Sequence, residues 1–177
     1  MVAGQGQTDA FIAVGSNIDP ERNIRSAIAL LAEHARLTGI STFYRTTALG
    51  RAAQDMFLNG VCSIAATMAP RTLKFEVLRR IEKELGRVRS EDKYAPRTID
   101  LDIAVFGSLV VDESDLTIPD PDVRRRVFVA VPLLEIAPDL VLPDSGQPLQ
   151  EIARAMNAES LAPAEAFTNS LRVRFMQ

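Results

Sequence analysis

Residues 94–106 read YAPRTIDLDIAVF, a polar turn followed by an apolar run that two aspartates interrupt. Residues 98–107 alternate as a β-strand does, with successive side chains on opposite faces. Leu101 therefore faces the core together with the flanking isoleucines, while Asp100 and Asp102 share the other face. Two neighbouring carboxylates repel each other unless a positive charge lies beside them. The pattern predicts either a divalent-cation site or, as the alternative, a solvated strand face.

Arginines surround this strand in the sequence. Arg97 comes shortly before Asp100, Arg87 and Arg89 lie in the preceding loop, and residues 124–126 are RRR. Mg²⁺ binds one or two carboxylates together with phosphate oxygens and water, and the guanidinium fork suits phosphate. We therefore predict a magnesium and polyphosphate site, with a solvated helix face as the alternative for the RRR run. The chain contains no P-loop, kinase catalytic-loop or dinucleotide-binding signature, so another architecture must hold any nucleotide.

Strand and helix patterns follow each other irregularly along the chain. Alternating apolar residues predict strands over 11–17, 40–44 and 57–68, and helical spacing predicts helices from Pro20 to about residue 37 and over 71–85. Asp19 suits the N-cap of the first helix and Pro20 its first position. This order favours an α+β fold over a doubly wound sheet. We expect one domain over 1–177, with residues 1–8 disordered and a weakly patterned tail over 158–177.

Composition narrows the class of protein. A chain of 177 residues with 47% hydrophobic and 24% charged content is typical of a globular domain. The net charge of -3 argues against a nucleic-acid binder held by bulk charge, and no apolar run is long enough for a membrane span. Cys62 lies in a strand pattern typical of a core thiol, and His34 has no second histidine or cysteine with which to share a metal. We expect a cytoplasmic monomer without nucleic-acid or membrane partners.

Longer motifs recur in order along most of the chain: FIAVGSN (11–17), FYRTTALG (43–50), QDMFLN (54–59), GRVR (86–89), PRTIDLDI (96–103), LTIP (116–119), RVF (126–128) and PLLEIAP (132–138). With PRTIDLDI as the most distinctive of them, the chain resembles the 6-hydroxymethyl-7,8-dihydropterin pyrophosphokinase family. The resemblance implies a ferredoxin-like α+β fold, an antiparallel sheet with helices packed on its faces. It also implies an enzyme of folate biosynthesis that transfers diphosphate from MgATP to the hydroxymethyl group of the pterin and releases AMP.

The resemblance further implies a role for individual residues. Asp100 and Asp102 would bind two Mg²⁺ ions that bridge the ATP phosphates, and with Arg87 and Arg97 they form the implied catalytic group. The implied ATP-binding residues are Glu82, Arg87, Arg89, Arg97, Asp120 and Arg126. The implied pterin-binding residues are Thr46, Thr47, Ala48, Leu49, Phe57, Asn59, Tyr94 and Phe128, with the ring between Phe57 and Phe128.

The chain departs from the family pattern at three places. Asp120 and Pro121 stand where the family usually has a histidine that is expected to contact ATP. The aspartate would weaken nucleotide binding, turn outward or help to hold metal. Residues 46–48, TTA, stand where prolines commonly stiffen the loop, and Tyr94 replaces a common tryptophan.

Two other functions compete with the diphosphate transferase. A ferredoxin-like module that grips RNA through its arginines is opposed by the acidic pair and by the lack of an aromatic RNA-binding motif. A degenerate family member that binds nucleotide or pterin without turnover is the other alternative, which Asp120 keeps open. In an active enzyme we expect loops 45–56 and 86–96 to close over the substrates.

Overall fold

The centre of the structure is an antiparallel sheet. The computed structural model describes residues 6–47, 56–88 and 95–176. Its strands are β1 (Thr8–Ser16), β2 (Arg36–Ile40), β3 (Tyr44–Thr46), β4 (Phe57–Ala66), β5 (Asp100–Phe106), β6 (Val111–Glu113), β7 (Leu116–Ile118) and β8 (Ala162–Pro163). The main sheet has the order β5-β1-β4-β3-β8, with β2 also paired to β4, and β6 and β7 form a separate ribbon.

Helices lie against the sheet. They are α1 (Pro20–Ala32), α2 (Pro70–Thr72), a π-helical stretch (Leu73–Leu78), α3 (Arg79–Glu84), α4 (Asp122–Arg125), α5 (Val127–Ile136), α6 (Leu149–Arg154) and α7 (Glu165–Phe175). One apolar cluster joins Cys62 to α1 and the π-helical stretch, and a second joins Val61 to α5 and α6. Because consecutive residues of β4 belong to different clusters, both faces of this strand are covered. This arrangement confirms the α+β fold that the sequence predicts.

The first helix shows where tertiary contacts override the local pattern. It begins at Pro20, as predicted, but it ends at Ala32, because residues 36–40 form β2 and pair with β4. Asp19 occupies the N-cap in a left-handed conformation (φ 41°, ψ 53°), and its side chain makes no capping hydrogen bond. Asn23 Nδ2 donates instead to the Ile18 carbonyl at 2.6 Å and ties this turn to the helix.

The two ends of the chain differ from the predicted pattern. Thr8 already belongs to β1, so the predicted disorder over 1–8 does not extend to it, while residues 1–5 lie outside the described residues. The weakly patterned tail contains β8 and α7, and α7 buries Phe167, Thr168 and Leu171. The sequence signal is weak there because few side chains of α7 face the core.

The remaining composition-based predictions concern single residues and membrane spans. Cys62 is fully buried, and burial raises the pKa of its thiol to about 12, which confirms a core thiol. His34 lies exposed just beyond the end of α1. Among the described residues, none of the helices has the length and apolar character needed to traverse a bilayer.

Candidate active site

A cavity of about 190 Å³ lies between the sheet and the start of α5. Four neighbouring strands contribute to it, because β5, β1, β4 and β3 lie side by side and the residues that line the cavity pair across them. Its lining residues are Ala13, Val14, Gly15, Thr46, Thr47, Phe57, Asn59, Gly60, Ala95, Arg97, Asp100, Asp102, Ala104, Asp120, Asp122, Arg126, Phe128 and Val129. We call the part around Asp100, Asp102 and Asp120 the acidic end, and the part around Thr46, Phe57, Asn59 and Phe128 the aromatic end.

Asp100 is held by two arginines. Nη1 of Arg97 bonds to one carboxylate oxygen of Asp100, and Nη1 of Arg87 bonds to the other. Arg87 also pairs with Glu82, whose buried carboxylate accepts a hydrogen bond from the Leu101 backbone N–H at 2.9 Å. A chain of ion pairs therefore runs from Glu82 through Arg87 and Asp100 to Arg97 and fixes the start of β5. Glu82, expected to support ATP recognition, reaches the cavity through this chain and does not line it.

Asp102 is the most perturbed carboxylate of the cavity. Burial raises its pKa to about 7, with further contributions from the negative charges of Asp100 and Asp120. Lys74 of the π-helical stretch acts in the opposite direction on the pKa of both Asp102 and Asp120. Because Asp102 is costly to ionise in the free protein, a positive charge bound beside it would stabilise its carboxylate.

Asp120 faces the cavity. Burial raises the pKa of its carboxyl, and its Oδ1 accepts a hydrogen bond from the Asp122 backbone N–H at 2.7 Å. Its own backbone N–H donates to the Ala104 carbonyl at 2.9 Å, which ties this turn to β5. Of the three consequences considered for this aspartate, an outward-turned side chain is wrong, because Asp120 lines the cavity.

The turn before β5 is fastened to the end of β1. Asn17 Oδ1 accepts the Arg97 backbone N–H at 2.7 Å, and the Asn17 backbone N–H donates to the Arg97 carbonyl at 3.1 Å. Ser16 Oγ donates to the Thr98 carbonyl at 2.6 Å. Both Ser16 and Asn17 belong to the motif FIAVGSN (11–17), and no site role was predicted for either of them. The available signal was a pair of adjacent polar residues, Ser16 and Asn17, at the end of a buried strand.

The aromatic end combines polar groups that bond to each other with the aromatic side chains of Phe57 and Phe128. Asn59 is 8% exposed, and its Nδ2 donates to Thr46 Oγ1 at 2.8 Å. Gly15 pairs with Asn59 on one side and with Asp100 on the other. A Cβ at Gly15 would lie 2.5 Å from Asn59 Oδ1, so glycine leaves the space that the amide occupies. Gly15 therefore joins the two ends of the cavity, a role that sequence reasoning did not assign.

The structure brings together most of the predicted site residues. Those that line the cavity are Thr46, Thr47, Phe57, Asn59, Arg97, Asp100, Asp102, Asp120, Arg126 and Phe128. Glu82 and Arg87 connect to it through Asp100. Predictions for Ala48, Leu49, Arg89 and Tyr94 fall outside the described residues, as does most of loops 45–56 and 86–96. Residues that line the cavity without having been predicted include Gly15 and Asp122, whose carboxylate lies 3.6 Å from Nε of Arg126.

Comparison with known proteins gives a consistent match. Residues 11–138 match the family model for 7,8-dihydro-6-hydroxymethylpterin-pyrophosphokinase. The chain is 41% identical over 139 residues to 2-amino-4-hydroxy-6-hydroxymethyldihydropteridine pyrophosphokinase of Haemophilus influenzae, covering 77% of this chain and 86% of that protein. It is 38% identical over 154 residues to the protein of the same name from Pseudomonas aeruginosa, covering 85% and 93%.

Solved structures support the fold. Plasmodium falciparum HPPK-DHPS superposes with a TM-score of 0.68 at 12% identity, over 87% of this chain and 45% of that larger chain. A likeness at this identity speaks for the architecture, and it agrees with the ferredoxin-like α+β fold that the resemblance implied. The sequence matches carry the assignment, since the matched stretch spans more than half of the 177 residues. The chain belongs to the 7,8-dihydro-6-hydroxymethylpterin-pyrophosphokinase family.

Proposed function

We propose that the cavity is the active site of an ATP-dependent pyrophosphokinase that transfers diphosphate from ATP to the hydroxymethyl group of 6-hydroxymethyl-7,8-dihydropterin and releases AMP. The observation that carries this proposal is the adjacency of the two ends. Asp100 pairs with Gly15 across one strand border and Asn59 pairs with the same glycine across the other. The cation-binding carboxylate of Asp100 and the amide of Asn59 thus lie on either side of β1, so a nucleotide and a heterocycle bound to them would be neighbours, as transfer between them requires.

The aromatic end suits a flat polar heterocycle. Phe57 and Phe128 offer ring faces, and Asn59 and Thr46 offer an amide and a hydroxyl already fixed by their mutual hydrogen bond. Prior fixation means that little side-chain entropy is lost when a ligand binds. We assign the pterin to this end, with Thr47 at its rim.

The acidic end fits divalent cations. The high pKa of Asp102 reflects burial beside the negative charge of Asp100, and a cation there would favour the ionised form of both. Among residues 6–47, 56–88 and 95–176, no three histidine, cysteine or acidic side chains converge as a metal cage. Mg²⁺ is the cation that binds through one or two carboxylates and takes its other ligands from phosphate and water. We assign Asp100 and Asp102 to two Mg²⁺ ions, which when bound would neutralise charge on the ATP phosphates.

The arginines of the acidic end take part in phosphate binding. In the free protein Arg87 and Arg97 both bond to Asp100, so two positive side chains already lie beside a carboxylate that is assigned to metal binding. When Asp100 binds a cation, these guanidiniums would exchange their bonds to Asp100 for bonds to the transferred diphosphate. Arg126 also lines the cavity and provides a third positive charge.

The reaction then depends on position and charge. The hydroxyl of the pterin, whose ring is held at the aromatic end, attacks the β-phosphorus in line. The bond between that phosphorus and the AMP oxygen breaks, the hydroxyl proton is released to solvent, and the arginines stabilise the charge that develops. We assign no side chain as general base, since a loose transition state makes little demand for one. The predicted absence of nucleic-acid partners, the monomeric state and the cytoplasmic location stay predictions.

Product analysis tests this function. The protein is incubated with MgATP and the pterin alcohol, with a reaction lacking pterin as the control, and nucleotides are separated by chromatography. AMP formed only with pterin is the expected result. ADP instead of AMP would show ordinary phosphoryl transfer, and absence of any product would favour the degenerate member that binds without turnover.

A further inference from the structure

The C-terminal segment, residues 162–175, follows the stretch 11–138 that matches the family model, and it begins with a strand that pairs with β3. In β8, Pro163 pairs with Tyr44 and Ala162 with Arg45, so this short strand extends the sheet alongside β3. Next along the chain, α7 packs against β2 and α1, and its buried residues Phe167 and Thr168 contact Phe43, the residue directly before β3. Since β3 ends in Thr46 at the aromatic end, the C-terminal segment lies directly behind a wall of the cavity.

Both backbone polar groups of Phe43 are bonded to this segment. The Phe43 N–H donates to Thr168 Oγ1 at 2.9 Å, and the Ala164 N–H donates to the Phe43 carbonyl at 2.8 Å. Thr168 is 1% exposed and Phe43 is fully buried, so water cannot replace the threonine hydroxyl without a rearrangement. The Phe43 ring also meets the Phe167 ring edge to face, with centroids 5.7 Å apart.

From Phe43 the contacts continue to the cavity. The Phe43 ring covers Gly60 so closely that a Cβ there would lie 2.8 Å from the ring, and Gly60 lines the cavity. Phe43 directly precedes β3, and the last residue of that strand, Thr46, accepts the hydrogen bond that fixes Asn59. A shift of Phe43 would therefore change both the floor under the heterocycle and the group that orients the Asn59 amide.

We propose that the C-terminal segment sets the position of the β3 wall, with Thr168 as a positioning residue for binding of the pterin heterocycle. This inference rests on the proposed function, because it assigns the aromatic end to the pterin. It predicts a selective effect: disturbing Thr168 weakens pterin binding, whereas MgATP binding at the acidic end, which α7 does not contact through these groups, stays unchanged.

The test compares Thr168→Val with a control on the same helix. Valine keeps the shape of threonine and removes the hydroxyl that receives the Phe43 N–H. Leu171→Val is the control, because Leu171 is fully buried in α7 and its apolar side chain can form no such hydrogen bond. Equilibrium dissociation constants are measured separately for the pterin alcohol and for MgATP, with melting temperatures and AMP formation alongside. We expect Thr168→Val to raise the pterin dissociation constant by about threefold to tenfold and that for MgATP by less than about twofold.

Rescue separates positioning from general stability. Thr168→Ser restores the hydroxyl, so it should return pterin binding to within about twofold of the wild type. Leu171→Val should lower the melting temperature without changing the ratio of the two dissociation constants. Equal weakening of both ligands by Thr168→Val, or no recovery with serine, overturns the inference. Should Thr168→Val not fold, Phe167→Leu, which removes the ring contact to Phe43, should give the same selective loss, and equal weakening of both ligands by it would overturn the inference as well.

The outcomes also separate this inference from the proposed function. A wild type that binds pterin and shows the selective Thr168 effect but forms no AMP contradicts the transferase and supports the positioning role. A wild type that forms AMP, together with a Thr168→Val variant that shows no selective effect, supports the transferase and contradicts the positioning role. A wild type that binds no pterin overturns both.

Discussion

The two ends of the cavity are built on opposite principles. At the aromatic end the polar groups satisfy each other, as in the bond from Asn59 to Thr46, and the rest is apolar packing. At the acidic end like charges lie close together, and burial raises the pKa of both Asp102 and Asp120. The hydrogen-bonded groups of the aromatic end stabilise the fold with or without ligand. The carboxylates of the acidic end repel each other until a ligand supplies positive charge.

The contrast predicts where stability and activity separate. Removing the carboxylate of Asp102 at the acidic end should cost activity and leave stability unchanged or improved, because it relieves repulsion in the free protein. Changes at the aromatic end should cost both, because the contacts that bind the heterocycle also hold the strands.

Asp102→Asn should have the largest effect. It removes a carboxylate assigned to metal and relieves its repulsion with Asp100, so kcat/KM should fall by about 10²-fold to 10³-fold while the melting temperature stays the same or rises. AMP formation and thermal unfolding measure the two quantities. Glu113→Gln is the matched control, since Glu113 is an exposed carboxylate of β6 that pairs with Arg71 away from the cavity. Retained activity would contradict the assignment of Asp102 to metal binding. A large fall in melting temperature would contradict the proposed contrast between the two ends.

The pH dependence of stability should show the same repulsion. The pKa of Asp102 is about 7 in the folded protein against an ordinary value of 3.8, so between these values the folded state binds a proton that the unfolded state has lost. The free energy of unfolding contributed by Asp102 is therefore fully present below the lower value and is lost as pH rises through the upper one. Without ligands, the wild type should lose about 1–3 kcal/mol relative to Asp102→Asn between about pH 4.5 and about pH 8. Urea unfolding of both proteins measures this gap, and a gap that does not change with pH would contradict the pKa.

The acidic end was also the part that the sequence predicted best. The alternation of side chains along β5 places Asp100 and Asp102 on one face by local geometry alone. Arg97 is close to Asp100 in the sequence, so their contact could also be predicted. Gly15 could not be assigned its role from spacing, because that role depends on its pairing with both β4 and β5. The same holds for Thr168, whose partner Phe43 lies far away in the sequence, and for the end of α1, where pairing of β2 with β4 prevails over helical spacing.

Gly15→Ala tests whether the two ends of the cavity both depend on Gly15, which pairs with Asn59 on one side and with Asp100 on the other. The added Cβ would lie 2.5 Å from Asn59 Oδ1, so either the amide or the strand must move. We expect a loss of about 1–3 kcal/mol in unfolding free energy together with weaker pterin binding. Gly39→Ala is the control, because its Cβ would lie 2.7 Å from Ser63 Oγ, and neither Gly39 nor Ser63 lines the cavity. A similar loss of stability there with unchanged pterin binding would localise the effect; weakened pterin binding in both variants would attribute it to general destabilisation.

Variants of Asp120 test whether its negative charge at the acidic end opposes nucleotide binding. Its carboxylate lines the cavity beside the proposed phosphate site, yet its Oδ1 also accepts the Asp122 N–H and supports the turn. Asp120→Asn keeps an oxygen for that hydrogen bond and removes the charge, whereas Asp120→His replaces the charge with a group that donates to phosphate. If the charge opposes the nucleotide, both variants should lower the MgATP dissociation constant, by about threefold to tenfold for histidine and less for asparagine. Titration calorimetry measures the affinities. Because asparagine preserves the turn, unchanged affinity in that variant would mean that cations already compensate the charge of Asp120, and the excess of negative charge would then be confined to Asp100 and Asp102.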